Sequence, residues 1–194
     1  MSTEINIEHI YKQHLDTVME GLASIDMDDL QAAADVILYA IRSGKTIYTA
    51  GNGASASIAQ HWACDYTKGC SDIESMFKPK VISLSANIPL MTAISNDISY
   101  DEVYSYQLER LADPGDVFIS ISSSGNSPSV VRACEVALQK NLQVIALTGF
   151  TGGKTRKLAI YPIHVDVQEY EAAEDVHQAI MHMIAKYIRN RKWK

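Results

Sequence analysis

Apolar residues in the first 43 positions recur at helical spacing in two separate stretches. Ile5, Ile7, Ile10, Tyr11, Leu15, Val18, Met19 and Leu22 form the first. Ser24-Ile25-Asp26 interrupts it, and Ser24 or Asp26 is placed to cap a second helix. Leu30, Ala33, Ala34, Val36, Ile37, Ala40 and Ile41 mark the buried side of that second helix, and Gly44 ends it. Beyond Gly44 the pattern changes to short apolar runs at 46–50, 81–84, 116–121, 143–147 and 160–165. Pro162 marks the last as an edge strand, because proline cannot donate to a ladder. Helical patterns at 55–68, 88–95, 100–111, 128–140 and 171–190 separate or follow these runs. Strands alternating with helices predict βαβ units and a parallel sheet. Strands covered on both faces read as continuous apolar runs, as these do. The expected fold is therefore α/β, a three-layer sandwich around a central five-stranded parallel sheet, preceded by N-terminal helices. No repeat or low-complexity linker divides the chain, so 1–194 is expected as one domain, with 1–43 as a helical extension. Two amphipathic helices outside the βαβ core need a partner surface, which predicts an oligomer.

Composition narrows the classes. A chain of 194 residues can bury a sizeable core without staples. Its net charge of −6 argues against a general nucleic-acid binder, which needs excess positive charge to displace counterions from phosphates. Cys64, Cys70 and Cys134 are an odd set with no CxxC pair, so neither a disulfide framework nor a zinc finger is expected. A reducing cytoplasm fits them. The N-terminal residues lack the apolar core of a signal peptide, and no run approaches the length of a membrane span.

In open parallel sheets, ligands bind beyond the carboxyl ends of the strands. Two loops stand there: residues 51–57, reading GNGASAS, and residues 122–127, reading SSSGNS. Both combine small residues and hydroxyls with a helix N-terminus, whose free N–H groups favour anions. Ser122, Ser123, Ser124 and Ser127 make a hydroxyl set suited to a phosphate monoester; capping and turn formation is the competing reading. Gly51-Asn52-Gly53 fits neither GxGxxG nor a Walker loop, so no nucleotide cofactor is expected. His61 and Asp65 are four apart on one helix face, a spacing that can hold a divalent metal or share protons. On the last helix Glu174 and His182 are about two turns apart and share a face, while His177 diverges from His182. His9, His14 and His164 read as surface or structural residues. Tyr100, Tyr104 and Tyr106 read as packing. Lys186, Arg189, Arg191, Lys192 and Lys194 complement the dipole of the helix C-terminus.

Four stretches, in this order, resemble the sugar isomerase (SIS) domain: GNGASASIAQHWACDYTKG, TAISNDISYDEVY, GDVFISISSSGNSPSVV and VIALTGFTGGK. Within that family they are most similar to the phosphoheptose isomerases, and the likeness covers nearly the whole chain. The resemblance implies a flavodoxin-like sheet and conversion of sedoheptulose 7-phosphate to D-glycero-D-manno-heptose 7-phosphate, an entry step to lipopolysaccharide or surface heptose. It also implies a zinc-binding homotetramer with active sites between subunits. By the same resemblance, Asn52, Gly53, Ala54 and Ser55 fall on a substrate-binding loop and Asn96 and Asp97 on a second substrate contact. Ser122, Ser123, Ser124 and Ser127 fall on the phosphate loop, and His61 and His182 on metal and catalytic histidines. Asp65 stands where the family usually has glutamate, Glu174 where it usually has glutamine, and Gly69 where an arginine is often found.

Aldose–ketose isomerisation removes a proton beside a carbonyl and delivers it to the neighbouring carbon through an enediolate. Asp65 and His182 are the expected acid/base pair. His61, Asp65, Glu174 and His182 are the expected metal ligands, with Glu174 also facing substrate. The main rival is a non-enzymatic SIS protein such as the DnaA initiator-associating protein, which binds a replication initiator and shares some of these motifs. That relative lacks the helix carboxylate, so Asp65 favours an enzyme. A third reading is isomerisation of another phosphosugar, such as arabinose 5-phosphate. No membrane or nucleic-acid partner is expected.

Overall fold

A computed structural model describes residues 6–71 and 77–191. Ile5, Lys192 and Lys194, named above, lie outside these residues. Five parallel strands form one sheet: β1 (Thr46–Ala50), β2 (Lys80–Ser83), β3 (Val117–Ser122), β4 (Gln143–Thr148) and β5 (Tyr161–His164), in the order β2-β1-β3-β4-β5. All four ladders are parallel, with Tyr48 opposite Phe118 and Phe118 opposite Val144 in the middle of the sheet. The strand order reverses direction between β1 and β3, which opens a crevice at their carboxyl ends. Pro162 lies on an edge strand, as its missing N–H requires.

Eight α-helices surround the sheet among the described residues: α1 (Ile7–Ala23), α2 (Met27–Arg42), α3 (Ala54–Cys64), α4 (Ile88–Asp97), α5 (Ser105–Leu111), α6 (Pro128–Gln139), α7 (Gly153–Leu158) and α8 (Tyr170–Arg191). Side chains alternate across β3, so the core divides in two. Val117, Ile119 and Ile121 join Ile37, Trp62 and Ile180 on one face, beneath α2, α3 and α8. Phe118 joins Leu108, Val130 and Cys134 on the other, beneath α5 and α6. The three-layer arrangement follows from this double burial.

The structure corrects the expectation that both N-terminal helices stand outside the core. Asp26 caps α2 by accepting from the Asp28 and Asp29 amides, and Ala33, Ile37 and Ile41 are buried against β-strand residues. Only α1 lies outside. It packs on α8, where His14 Nε2 meets Asp175 Oδ2 at 2.8 Å. Its residues Ile7, Tyr11 and Met19 are 82%, 64% and 58% exposed, an apolar stripe with nothing over it among the described residues. The helix expected at 100–111 splits into a 3-10 turn at Tyr100–Glu102 and α5. The helix after β1 changes at Cys64 into a π-helical turn, Asp65–Gly69. No helix among the described residues is long and apolar enough to cross a membrane.

Candidate active site

The two loops singled out by their serines meet at the crevice between β1 and β3. Gly51 can only be glycine there: a Cβ would lie 2.8 Å from the Ile121 carbonyl oxygen and 2.7 Å from Ser55 Cβ. That close approach brings the first loop onto the end of β3. On the other side Gly125 has φ +64°, and a Cβ on it would lie 2.0 Å from the Gly152 carbonyl oxygen. The serine loop is thereby seated on the turn that starts α7. Neither α3 nor α6 receives a side-chain cap at its N-terminus, and Pro128 occupies the first turn of α6. The free amide groups at such ends attract anions.

The resulting open pocket, a cavity of about 90 Å³, is lined by Asn52, Ser55, Ser122, Ser123, Ser124, Ser127, Tyr170 and Glu174, with Ile121 behind them. Ser122 Oγ lies 3.5 Å from Ser127 Oγ, and the buried Ser123 hydroxyl has no hydrogen-bond partner among the described residues. No lysine or arginine lines the pocket. Gly53 and Ala54 sit at the start of α3 and do not line it, and neither do Asn96 and Asp97, which bond to each other at the exposed end of α4.

Further along the same two helices is a second cluster. His61 Nε2 lies 3.2 Å from Asp65 Oδ1, and His182 Nε2 lies 3.8 Å from Asp65 Oδ2. The two imidazoles meet edge to face with centroids 5.1 Å apart. One ligand atom from each of His61, Asp65 and His182 falls within 4.8 Å of the others, which can hold a metal ion. Two imidazole nitrogens and a carboxylate oxygen are a donor set suited to zinc. The cluster is open to solvent, with the Asp65 side chain 27% exposed.

Glu174, expected as a fourth ligand, is not in this group and instead walls the serine pocket. It stands eight residues from His182 on α8, roughly 12 Å along the axis. Burial chiefly, and then Glu171 and Asp175, raise its carboxyl above the usual range. The residue between the two sites is Gln178, whose Nε2 lies 3.0 Å from His61 Nδ1 and 3.3 Å from His182 Nε2. Sequence reading missed its role; the signal available was its place on the Glu174–His182 stripe, four residues from each.

Two tyrosines read as packing also belong here. Tyr100 Oη lies 2.8 Å and Tyr104 Oη 2.9 Å from Asn52 Oδ1. Behind the pocket, His177 is completely buried and neither ring nitrogen has a partner with hydrogen-bond geometry. Burial pushes it down to about 4, against a smaller opposing influence of the Thr148 backbone. His164 is lowered too, by burial first and then by Arg156, and its Nδ1 lies 3.1 Å from Thr148 Oγ1.

A family model described as the SIS domain matches residues 10–149. A protein of Thermoplasma acidophilum named "Probable phosphoheptose isomerase" is 35% identical over 178 residues, covering 91% of this chain and 96% of its own. A phosphoheptose isomerase of Synechocystis sp. is 32% identical over 180 residues, covering 93% and 92%. Among solved structures, phosphoheptose isomerase GmhA from Neisseria gonorrhoeae superposes with a TM-score of 0.86 at 28% identity, covering 95% of this chain and 97% of that one.

Proposed function

Because this chain belongs to the SIS domain family, and within it to the phosphoheptose isomerases, we propose that it converts sedoheptulose 7-phosphate to D-glycero-D-manno-heptose 7-phosphate. The reaction is an aldose–ketose isomerisation. The observation that carries it is that both sites border on the same two helices, α3 and α8. Ser55 and His61 are six residues apart on α3, roughly 9 Å, and Glu174 and His182 are roughly 12 Å apart on α8. A sugar held by its phosphate at the serine pocket reaches the histidine–carboxylate cluster with its far end. A long ketose phosphate has its phosphate and its carbonyl at opposite ends of the chain, as this spacing asks.

The serine hydroxyls and the amide groups at the starts of α3 and α6 hold the phosphoryl oxygens. Asn52 and Glu174 contact the same end of the substrate, and Asn96 and Asp97 are assigned to a second contact outside the pocket wall. At the other end, Asp65 and His182 form the acid/base pair. One takes the proton from the hydroxyl-bearing carbon beside the carbonyl while the carbonyl oxygen gains a proton, and the pair then returns a proton to the former carbonyl carbon as the neighbouring hydroxyl gives up its own. Negative charge develops on the sugar oxygens in between. His61, Asp65 and His182 would hold a divalent ion, with zinc proposed, and it would supply Lewis-acid stabilisation of that charge; an atom of Asp65 or His182 bound to the ion is not free as a base, so the two residues share ligation and proton transfer between them. Gln178 orients the His61 imidazole from behind, at Nδ1, and touches His182 at the same Nε2 that faces Asp65.

The exposed apolar stripe of α1 supports an oligomer, proposed as a homotetramer. The enzyme is placed in the cytoplasm, where its product enters heptose synthesis for lipopolysaccharide or another surface polysaccharide.

Purified protein supplied with seven-, six- and five-carbon ketose phosphates, with and without zinc, tests the assignment. The highest kcat/KM is expected on sedoheptulose 7-phosphate. No turnover on any of them, or a preference for a shorter sugar, overturns it.

A further inference from the structure

The loop after β1 is held by two phenols that the chemistry above does not use. Tyr100 Oη donates to Asn52 Oδ1 at 2.8 Å. Tyr104, fully buried, places its hydroxyl 2.9 Å from the same oxygen and 2.6 Å from the Gly51 carbonyl oxygen. Both tyrosines come from the segment after α4, 48 and 52 residues along the chain from Asn52. With Oδ1 engaged on that side, the amide nitrogen turns to the other. There Asn52 Nδ2 donates to Ser129 Oγ at 3.0 Å. A side-chain amide carries two N–H groups, so Ser129 leaves one unused. Asn52 is also part of the wall of the serine pocket.

We propose that Tyr100 and Tyr104 are positioning residues that act through Asn52, holding its amide so that an Nδ2–H faces the serine pocket as a donor to the phosphate ester. This rests on the reading of that pocket as the phosphate end of the site. The pocket has no lysine or arginine in its wall and has a carboxylate, Glu174, on one side. An amide turned the other way would present a second acceptor to an anion already facing that carboxylate. Tyr100, together with the Tyr104 proton shared between Asn52 Oδ1 and the Gly51 carbonyl oxygen, therefore selects the orientation that attracts phosphate. Burial pushes the Tyr104 phenol up to about 12, so it remains a donor throughout the neutral range. Its removal leaves the backbone satisfied, since Ser85 Oγ also donates to the Gly51 carbonyl at 3.0 Å.

A double-mutant cycle on the full-length protein tests this. The variants are Tyr100→Phe, Tyr104→Phe, Asn52→Ala and Tyr104→Phe combined with Asn52→Ala. The probe is inorganic phosphate measured by calorimetry, with KM and kcat for sedoheptulose 7-phosphate and thermal midpoints in parallel. Each tyrosine variant is expected to weaken phosphate about three- to tenfold, the loss of one oriented hydrogen bond, and to raise KM more than it lowers kcat. In the Asn52→Ala background, Tyr104→Phe is expected to change phosphate affinity less than about twofold. Equal weakening in both backgrounds overturns the proposal. So does a lowered thermal midpoint with phosphate affinity unchanged. Unsubstituted protein that fails to bind phosphate overturns the assignment of the pocket itself, and this proposal with it.

Discussion

His182 Nε2 lies 3.8 Å from Asp65 Oδ2, across the seam between α8 and the π-helical turn that follows α3. These residues are far apart in the chain and meet because α3 and α8 pack side by side on one face of the sheet. Their contact makes the acid/base assignment testable by a single change. His182→Ala should lower kcat by about 10²- to 10⁴-fold, the usual worth of a positioned acid/base group. Phosphate affinity should stay within about twofold, because the serine pocket lies roughly two helical turns away. Steady-state kinetics and phosphate calorimetry on the same preparation separate the two effects. Retained turnover rejects the role given to His182.

Gln178 Nε2 stands 3.0 Å from His61 Nδ1. A histidine that binds a metal through one nitrogen is oriented by whatever bonds to the other. Gln178→Ala removes that support for His61 and the adjacent contact to His182. Zinc affinity, measured by competition with a chromophoric chelator, should fall about 10- to 100-fold. Unaltered zinc affinity would mean that the imidazoles are held in place by packing alone.

Much of the fold was legible because burial on both faces leaves a strong mark. The runs around Ile47, Phe118 and Val144 read as strands buried on both faces, and the helices between them followed by alternation. The short α7 was not foreseen, since Gly153-Lys154-Thr155-Arg156 offers neither length nor an apolar face. Nor was the burial of α2: its apolar stripe shows that it packs, but not against what. In the site, the serine loop and the His61–Asp65 pair were readable from local spacing. The bonds of Tyr100 and Tyr104 to Asn52, and of Gln178 to both imidazoles, were not. They join residues distant in sequence, and a tyrosine that packs has the same local pattern as one that positions a neighbour. Glu174 shares its helix face with His182, yet its place in the wall of the serine pocket rather than in the histidine–carboxylate cluster depends on distance along the axis.

The buried His177 makes stability fall in acid. Its folded value, pushed down to about 4 by burial, lies below the ordinary histidine value of 6.5. Between these values the unfolded chain binds a proton that the folded chain refuses, so stability rises with pH in that window. Its contribution is complete above pH 6.5 and is lost as pH falls toward 4, by about 3 kcal/mol. His164 is shifted the same way and adds to the trend. Urea unfolding at a series of pH values should show this acid slope, and His177→Phe should flatten it. An unchanged slope in that variant would place the acid sensitivity elsewhere.

The apolar stripe on α1 should be covered in solution by another copy of the chain. Ile7, Ile10, Tyr11, Leu15 and Met19 are all exposed, at spacings that put several of them on one side of the helix. Monomers seldom leave so contiguous an apolar surface to water. The later part of the same face is already used, where Val18 and Leu22 pack against the core and His14 pairs with Asp175, so the stripe is the part of that face that runs past the rest of the described chain. The stripe therefore adds little to the fold of one chain and much to association. Tyr11→Glu combined with Leu15→Glu would put two carboxylates into that contact at a desolvation penalty that packing cannot offset. Sedimentation should show the unsubstituted protein as a tetramer and the double variant as a smaller species with its far-ultraviolet circular dichroism unchanged. A monomer in the unsubstituted protein would refute the oligomer, and an intact tetramer in the variant would move the interface off α1.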